Sequence, residues 1–415
     1  MKTSFFRATL AVALSIISTL GFCTEAKISG SMNHTVFIDN GNVYGIGLNN
    51  FRQAFPETTT VAEVNPWVSS EHIRTAVYLG IQNIRSVAAN GNRSLALTND
   101  GQMLLWGQLT STAWTKPYNP ITVPGVVTDI ALSGTAMYFI TDGQVYTWAF
   151  TGEVTQVSNS GHGAIKSIAA GDKHLVALYA DGTIGTLGIN TNGQLGFGTS
   201  ATVATTLTKV VGISGAVEIT ANGSSSAVRA TTGEILVFGK NIKGQLGLQN
   251  NIDVFAPVVV PGVTGVKKMT MNYAATFLLM NDNTVKASGF HNFIAGMIYN
   301  SNKVFETLPG ITGTVSLEAS GQQIFVDMSN AVGTLRGWGG NAHGQLGDNT
   351  IVERHNPSYA YFTPMPAYVA PVTVGAVSTG TCGSIYSNPF GNAVASNKNG
   401  STCKDKGNHG TKGKG

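Results

Sequence analysis

Charge is scarce in this chain. Only 11% of its 415 residues are Asp, Glu, Lys or Arg, against about a quarter in ordinary globular proteins. Of the formal net charge of +4, Lys2 and Arg7 against Glu25 contribute +1, and residues 398–415 contribute +4. The body between them therefore carries −1. A nucleic-acid binder presents a basic stripe on its folded part, and none is legible, so no nucleic-acid partner is expected. Cysteine is nearly absent, with Cys23, Cys382 and Cys403 as the full set. After residue 22 no apolar run is long enough to span a bilayer. Helical periodicity is missing too. There is no Gly-x-Ser-x-Gly, Walker loop, dinucleotide fingerprint or His-Glu-x-x-His. The eight histidines lie mostly in predicted loops without zinc-ligand spacing, and Asp100, Asp142 and Asp181 lack the alternating acids of a calcium loop. No metal, no cofactor and no catalytic residue is expected, although catalytic groups from separate blades could still meet in three dimensions.

The ends differ from the body. Lys2 and Arg7 precede an apolar stretch from Ala8 to Phe22 and a small-residue exit at Ala26. That is the layout of a secretory signal peptide, so residues 1–26 are expected to be removed. Lipidation at Cys23 is the rival, with Phe22 where such sites need a small residue. Residues 377–415 are rich in Gly, Ser, Asn and Lys and read as a flexible tail. In an oxidising compartment Cys382 and Cys403 form an even pair. A disulfide between them would close a loop of about 20 residues, worth about 3 kcal/mol.

Glycine, by contrast, is abundant at 51 residues, and it recurs in a phrase. An apolar strand leads to a Gly-containing turn, then a strand ending in aromatic-Gly or Leu-Gly, then a polar loop. The phrase is plainest at Asp181–Gly196, Gly233–Gly247 and Gly333–Gly347, each closing on Gly-Gln-Leu-Gly. Weaker copies end near residues 47, 107, 149 and 289, with Ala149 in the glycine slot of the third. Seven copies stand 39 to 60 residues apart. Four short strands fit each copy, which is one propeller blade. The Asp-Gly turns suit tight hairpins, because Gly accepts positive φ. The fold expected over residues 27–376 is all-β, a seven-bladed β-propeller of four-stranded blades. The segment Ile28–Phe37 is expected to complete a blade shared with Tyr361–Val374, removing free edges.

These phrases resemble the regulator of chromosome condensation repeat family. Its pattern joins a Gly-x-x-His strand, an Asp-Gly turn, an aromatic-Gly strand and an Asn-x-x-Gly-Gln-Leu-Gly loop. The resemblance covers about residues 28–370, and it implies a closed seven-bladed propeller. It also puts His34 and His174 in the repeat's own histidine slot, as structural residues. Trp106, Trp148 and Trp338 occupy the aromatic slot and are expected in the blade cores.

Binding is the expected use, since loops on a rigid scaffold carry recognition. The first two gaps between repeats hold Phe51, Phe55, Trp67, His72, Tyr78, Trp114 and Tyr118, and aromatics are favoured interface anchors. Phe51, Phe55, Trp67, Trp114 and Tyr118 are the candidate partner-binding residues; packing under their own loops is the competing account. The expectation is a monomeric, secreted, periplasmic or surface-held bacterial protein that binds another protein, as an inhibitor or adhesion module. One alternative is a guanine-nucleotide exchange effector on a small GTPase, which the family resemblance allows. The short third repeat, Ala149 to Gly188, leaves no room for a large inserted wedge. The other is a secreted carbohydrate-binding or enzymatic propeller.

Overall fold

A computed structural model of the chain describes residues 27–55, 71–108, 119–120, 123–159, 162–199, 203–290, 302–328, 335–359, 386–387 and 393–394. It falls into two compact units, residues 1–362 and 363–415. In the second, β29 (Tyr386–Ser387) pairs antiparallel with β30 (Ala393–Val394).

The first unit is a β-propeller of seven four-stranded blades. Each blade is a run of four consecutive antiparallel strands. Blade 1 holds β1 (Lys27–Gly30), β2 (His34–Asp39), β3 (Asn42–Leu48) and β4 (His72–Tyr78). Blade 2 holds β5 (Ile84–Asn90), β6 (Arg93–Thr98), β7 (Met103–Gly107) and β8 (Asn119–Pro120). Blade 3 holds β9 (Val127–Leu132), β10 (Met137–Thr141), β11 (Gln144–Trp148) and β12 (Thr155–Gln156). Blade 4 holds β13 (Ile165–Ala170), β14 (His174–Tyr179), β15 (Ile184–Ile189) and β16 (Val203–Lys209). Blade 5 holds β17 (Ala216–Asn222), β18 (Ser225–Ala230), β19 (Ile235–Gly239) and β20 (Val254–Val259). Blade 6 holds β21 (Val266–Met271), β22 (Ala275–Met280), β23 (Val285–Gly289) and β24 (Asn302–Thr307). Blade 7 holds β25 (Ser316–Ser320), β26 (Gln323–Asp327), β27 (Leu335–Gly339) and β28 (Arg354–Tyr359). No helix among the described residues is long and apolar enough to cross a membrane.

The expected shared blade is not what the chain builds. β1 pairs with β2 of its own hairpin, and β25 to β28 complete blade 7 without help from the N-terminal strand; Tyr361–Val374 lies outside the described residues. The ring closes by side-to-side packing of whole blades.

Two devices explain why this sequence makes blades. In blade 3, Asp142 and Gly143 turn the middle hairpin with φ of 50° and 70°, the pairing a tight right-twisting hairpin needs. The glycine that ends the third strand has a stricter duty. At Gly188 and Gly239 φ is 113° and 103°, and a Cβ would come within 2.3 Å of the Lys173 carbonyl and 2.4 Å of the Ser224 carbonyl. Pairing to the fourth strand also shifts register there, as at a β-bulge. Blade 3 has Ala149 at this place. Its fourth strand is two residues long, and Trp148 is only half-buried. Trp106 and Trp338 meet expectation as fully buried core; Trp148 does not.

Neighbouring blades are joined by a repeated polar lock. In the Asn-x-x-Gly-Gln-Leu-Gly loop of blade 4, Asn190 Oδ1 accepts from the Leu195 N–H at 2.8 Å, and Gln194 Oε1 accepts from the Asn192 N–H at 2.8 Å. The folded loop then offers the Gln194 carbonyl to the next blade, where Ser226 Oγ donates to it at 3.0 Å. The Gln245 carbonyl of blade 5 accepts from Thr276 Oγ1 at 2.7 Å, and the Gln345 carbonyl of blade 7 from Thr35 Oγ1 at 3.2 Å.

Candidate functional site

Consecutive strands run antiparallel, so a blade's first and third connections share one face of the disc and its second connection the other. The innermost strands surround a central cavity of about 480 Å³. Its walls are built of small residues, with Ser29, Ala89, Ala131, Ala170, Ala221 and Ala319 from six blades. Wide side chains are excluded by the convergence of seven strands on one axis.

The first connections rim the mouth of this cavity. Met32 and Tyr273 stand there 51% and 46% exposed, and both line the cavity, as does Asp172. Lys240 Nζ lies 5.6 Å from the Tyr273 ring centroid, and Lys243 Nζ 5.7 Å from that of Phe290. Such distances let an ammonium feel the negative ring face. Ile242, between the two lysines, is 49% exposed. Burial raises the Asp172 carboxyl above its ordinary range, opposed by Lys173 and then Lys240. Blades 4 to 6 thus present an arc of exposed apolar and aromatic surface interleaved with three lysines.

The opposite face is built of hairpin turns. Hydrogen bonds from the Thr183 hydroxyl and N–H hold Asp181 below the ordinary carboxylate range, and Thr284 does the same for Asp282. These acids shape their turns, as Asx residues do.

The two histidines of the repeat's slot each touch a serine, the pairing of a catalytic base with its nucleophile. His34 Nε2 lies 2.7 Å from Ser94 Oγ, and His174 Nε2 2.8 Å from Ser226 Oγ. Proton counting argues otherwise. Each serine hydroxyl already donates to a loop carbonyl, Ser94 to Gln53 and Ser226 to Gln194. Each therefore accepts from an Nε2–H, and both rings are neutral. Burial drives His34 down to about 3 and His174 to about 4. All four side chains are fully buried, so no substrate reaches these hydroxyls. Among the described residues no group of three or more His, Cys, Asp or Glu side chains could hold a metal ion.

The aromatic candidates from the sequence are placed as follows. Phe51 and Phe55 sit on one loop, Asn49 to Phe55, after β3. Phe55 is 5% exposed within the blade 1 core, while Phe51 is half-buried. Tyr78 packs near Tyr44, with centroids 5.8 Å apart. Trp67, Trp114, Tyr118, Cys382 and Cys403 lie outside the described residues. His72 and His355 are on strands β4 and β28 rather than in loops.

Sequence reasoning missed two things. Asn49–Phe55 is a fourth copy of the locking loop: Asn49 Oδ1 accepts from the Phe55 N–H at 2.7 Å, and Gln53 Oε1 from the Phe51 N–H at 2.8 Å. Arg52 takes the glycine position at φ 63°, which hid the motif. The mouth residues were missed as well. Their signal was positional, since Asn272-Tyr273-Ala274 puts a large aromatic at the bend where another copy has Asn90-Gly91-Asn92.

The ring of seven blades thus presents a mouth rimmed by lysine and aromatic side chains. Residues 232–276 match the regulator of chromosome condensation (RCC1) repeat. The chain is 30% identical to the human probable E3 ubiquitin-protein ligase HERC4 over 205 residues, covering 46% of this chain and 19% of that protein. It is 26% identical to the ultraviolet-B receptor UVR8 of Arabidopsis thaliana, over 48% of this chain and 46% of the receptor. The alignments therefore span less than half of these relatives' lengths. Among solved structures it is similar to Prp20p of Saccharomyces cerevisiae, with a TM-score of 0.60 at 17% identity over 71% of this chain and 80% of that one. At that identity the likeness is one of fold.

Proposed function

We propose that this chain is a protein-binding propeller that holds its partner against the channel-mouth face. The observation that carries the reading is the mouth itself, lined by exposed Met32 and Tyr273, with Lys240 over the Tyr273 ring and Lys173 beside Asp172. Exposed apolar and aromatic groups on a rigid frame bury well at small entropic cost, and aromatic residues are favoured anchors. Prp20p, similar in fold, is described with its binding to Gsp1p and histones. In this reading the protein is bacterial and acts outside the cytoplasm, in the medium or at a cell surface. The basic start and apolar run of residues 1–26 support that placement.

The test is affinity capture with the full chain, immobilised and exposed to the producer's secreted and surface proteins. The reading expects a protein retained by the unaltered chain and lost, by about tenfold or more, on combining Tyr273→Ala with Lys240→Glu, the two substitutions together removing about 1.4 kcal/mol or more. Asp181→Asn on the other face should leave retention intact. Retention of polysaccharide alone, or loss with Asp181→Asn and not at the mouth, would overturn it.

A further inference from the structure

The seam where the ring closes brings together a pair of histidines. His72 on β4 and His343 in the loop after β27 are 271 residues apart in sequence, yet their Nδ1 atoms face each other at 3.3 Å. The rings are near-parallel, 6° apart, with centroids 5.1 Å apart. Both are half-buried, so solvent reaches them. Both backbones are held: His72 pairs with Leu48 in the sheet, and the His343 N–H donates to Gln345 Oε1 at 2.8 Å.

We propose that His72 and His343 form a two-histidine site for a divalent transition-metal ion such as Zn²⁺, stapling blade 7 to blade 1. Two nitrogens bound tetrahedrally to one zinc at about 2.0–2.1 Å stand about 3.3 Å apart, which is the separation found. Imidazole is a donor that zinc, copper and nickel share. Solvent supplies the remaining positions. In the metal-free pair one Nδ1–H donates to the other Nδ1; coordination through both atoms moves that proton to Nε2 by a change of tautomer. A small turn of each ring about χ2 aims both lone pairs at one ion. The consequence is specific to this fold. Closure here involves no exchanged strand, so an ion bridging the seam joins the first blade to the last. An ion that binds the folded ring and not the unfolded chain stabilises the ring by mass action.

The experiment is thermal unfolding of the tag-free full chain near neutral pH, stripped with chelator and then given Zn²⁺ at about 0.1 mM. The midpoint should rise by about 2 °C or more and return when chelator is restored. His343→Gln and His72→Gln should each abolish the rise, whereas His355→Gln should keep it. Should a variant fail to fold, histidine acylation of the unaltered chain, mapped by mass spectrometry, replaces it; Zn²⁺ must then protect His72 and His343 together. No rise in the unaltered chain, a rise that survives His343→Gln, or acylation at both residues unchanged by Zn²⁺ would overturn the proposal.

Discussion

Replacing Ser226 with alanine tests the lock between blades. Ser226 is fully buried. Its oxygen accepts from His174 Nε2–H at 2.8 Å and donates to the Gln194 carbonyl at 3.0 Å. His174 Nδ1 is buried with no hydrogen-bond partner, so the substitution strips the ring of its side-chain partner. A lost buried bond costs about 1 kcal/mol, and a stranded buried polar group about 1–3 kcal/mol. Ser226→Ala should therefore destabilise by about 2–4 kcal/mol. In a domain of this size that lowers the thermal midpoint by about 3–6 °C. Ser224→Ala, at a half-buried neighbour, should change stability by less than about 0.5 kcal/mol. The assay is thermal and urea unfolding of both variants beside the unaltered chain. Adding His174→Leu removes the stranded ring, so the double variant should lose less than the sum of the two singles. A loss below about 0.5 kcal/mol for Ser226→Ala, or strict additivity, would refute the reasoning.

Two further outcomes follow from buried groups and strained turns. His34 and His174 are neutral when folded, with pKa held to about 3 and about 4, and titrate near 6.5 when unfolded. The unfolded chain thus binds more protons between those values. Stability is full above about pH 6.5 and falls as pH drops, by about 1.4 kcal/mol per pH unit for each histidine. Urea midpoints taken from neutral pH down to about pH 5 should show that slope, and a flat profile would contradict it. Gly239→Ala places a methyl 2.4 Å from the Ser224 carbonyl at φ 103°, whereas Gly212→Ala meets nothing within 4 Å at φ 86°. The second should cost about 1–2 kcal/mol from backbone strain alone and the first clearly more, read as the difference in their unfolding midpoints.

Much of the fold was legible because its devices are short-range. The hairpin glycines, the third-strand glycine and the Asn/Gln loop each announce themselves within about fifteen residues, and seven copies fixed the blade count. What stayed hidden depends on pairs far apart in the chain. The seam at His72 and His343 could not be read from either residue. The wrong expectation of a shared blade came from a general rule about free edges, applied where each blade already has four strands of its own. At the candidate site, attention went to aromatics in long gaps between repeats. Phe55 turned inward, and the exposed aromatic of the mouth, Tyr273, sits in a short bend that looks unremarkable in sequence. The Asn49–Phe55 loop escaped because Arg52 stands where glycine is usual.

The locking loops and their receiving hydroxyls occur together, and the repeat explains why. The matched repeat, residues 232–276, starts in the hairpin of blade 5 and ends in the second strand of blade 6. Gln245 and Thr276, which bond across that blade junction, thus belong to one sequence unit. The hydroxyl follows the loop at Thr35, Ser94, Ser226 and Thr276. Blades 3, 4 and 7 follow blades without the motif, and they have Tyr138, Leu175 and Ile324 at that place. Those three junctions are tied nearer the axis. Arg85 Nη2 donates to the Val127 carbonyl at 2.5 Å, Asp129 Oδ2 accepts from the Ile168 N–H at 2.9 Å, and Lys268 pairs with Glu318 at 2.6 Å. Every junction therefore has a directional polar tie, at the loop, at the inner strand or at both. Inner-strand ties also stand at junctions that keep the loop, where Ser29 Oγ accepts from the Ala89 N–H at 2.9 Å and Glu218 Oε1 from the Met269 N–H at 3.3 Å, so the ring closes without exchanging a strand and the loop motif is an addition to a tie that the inner strands can supply alone.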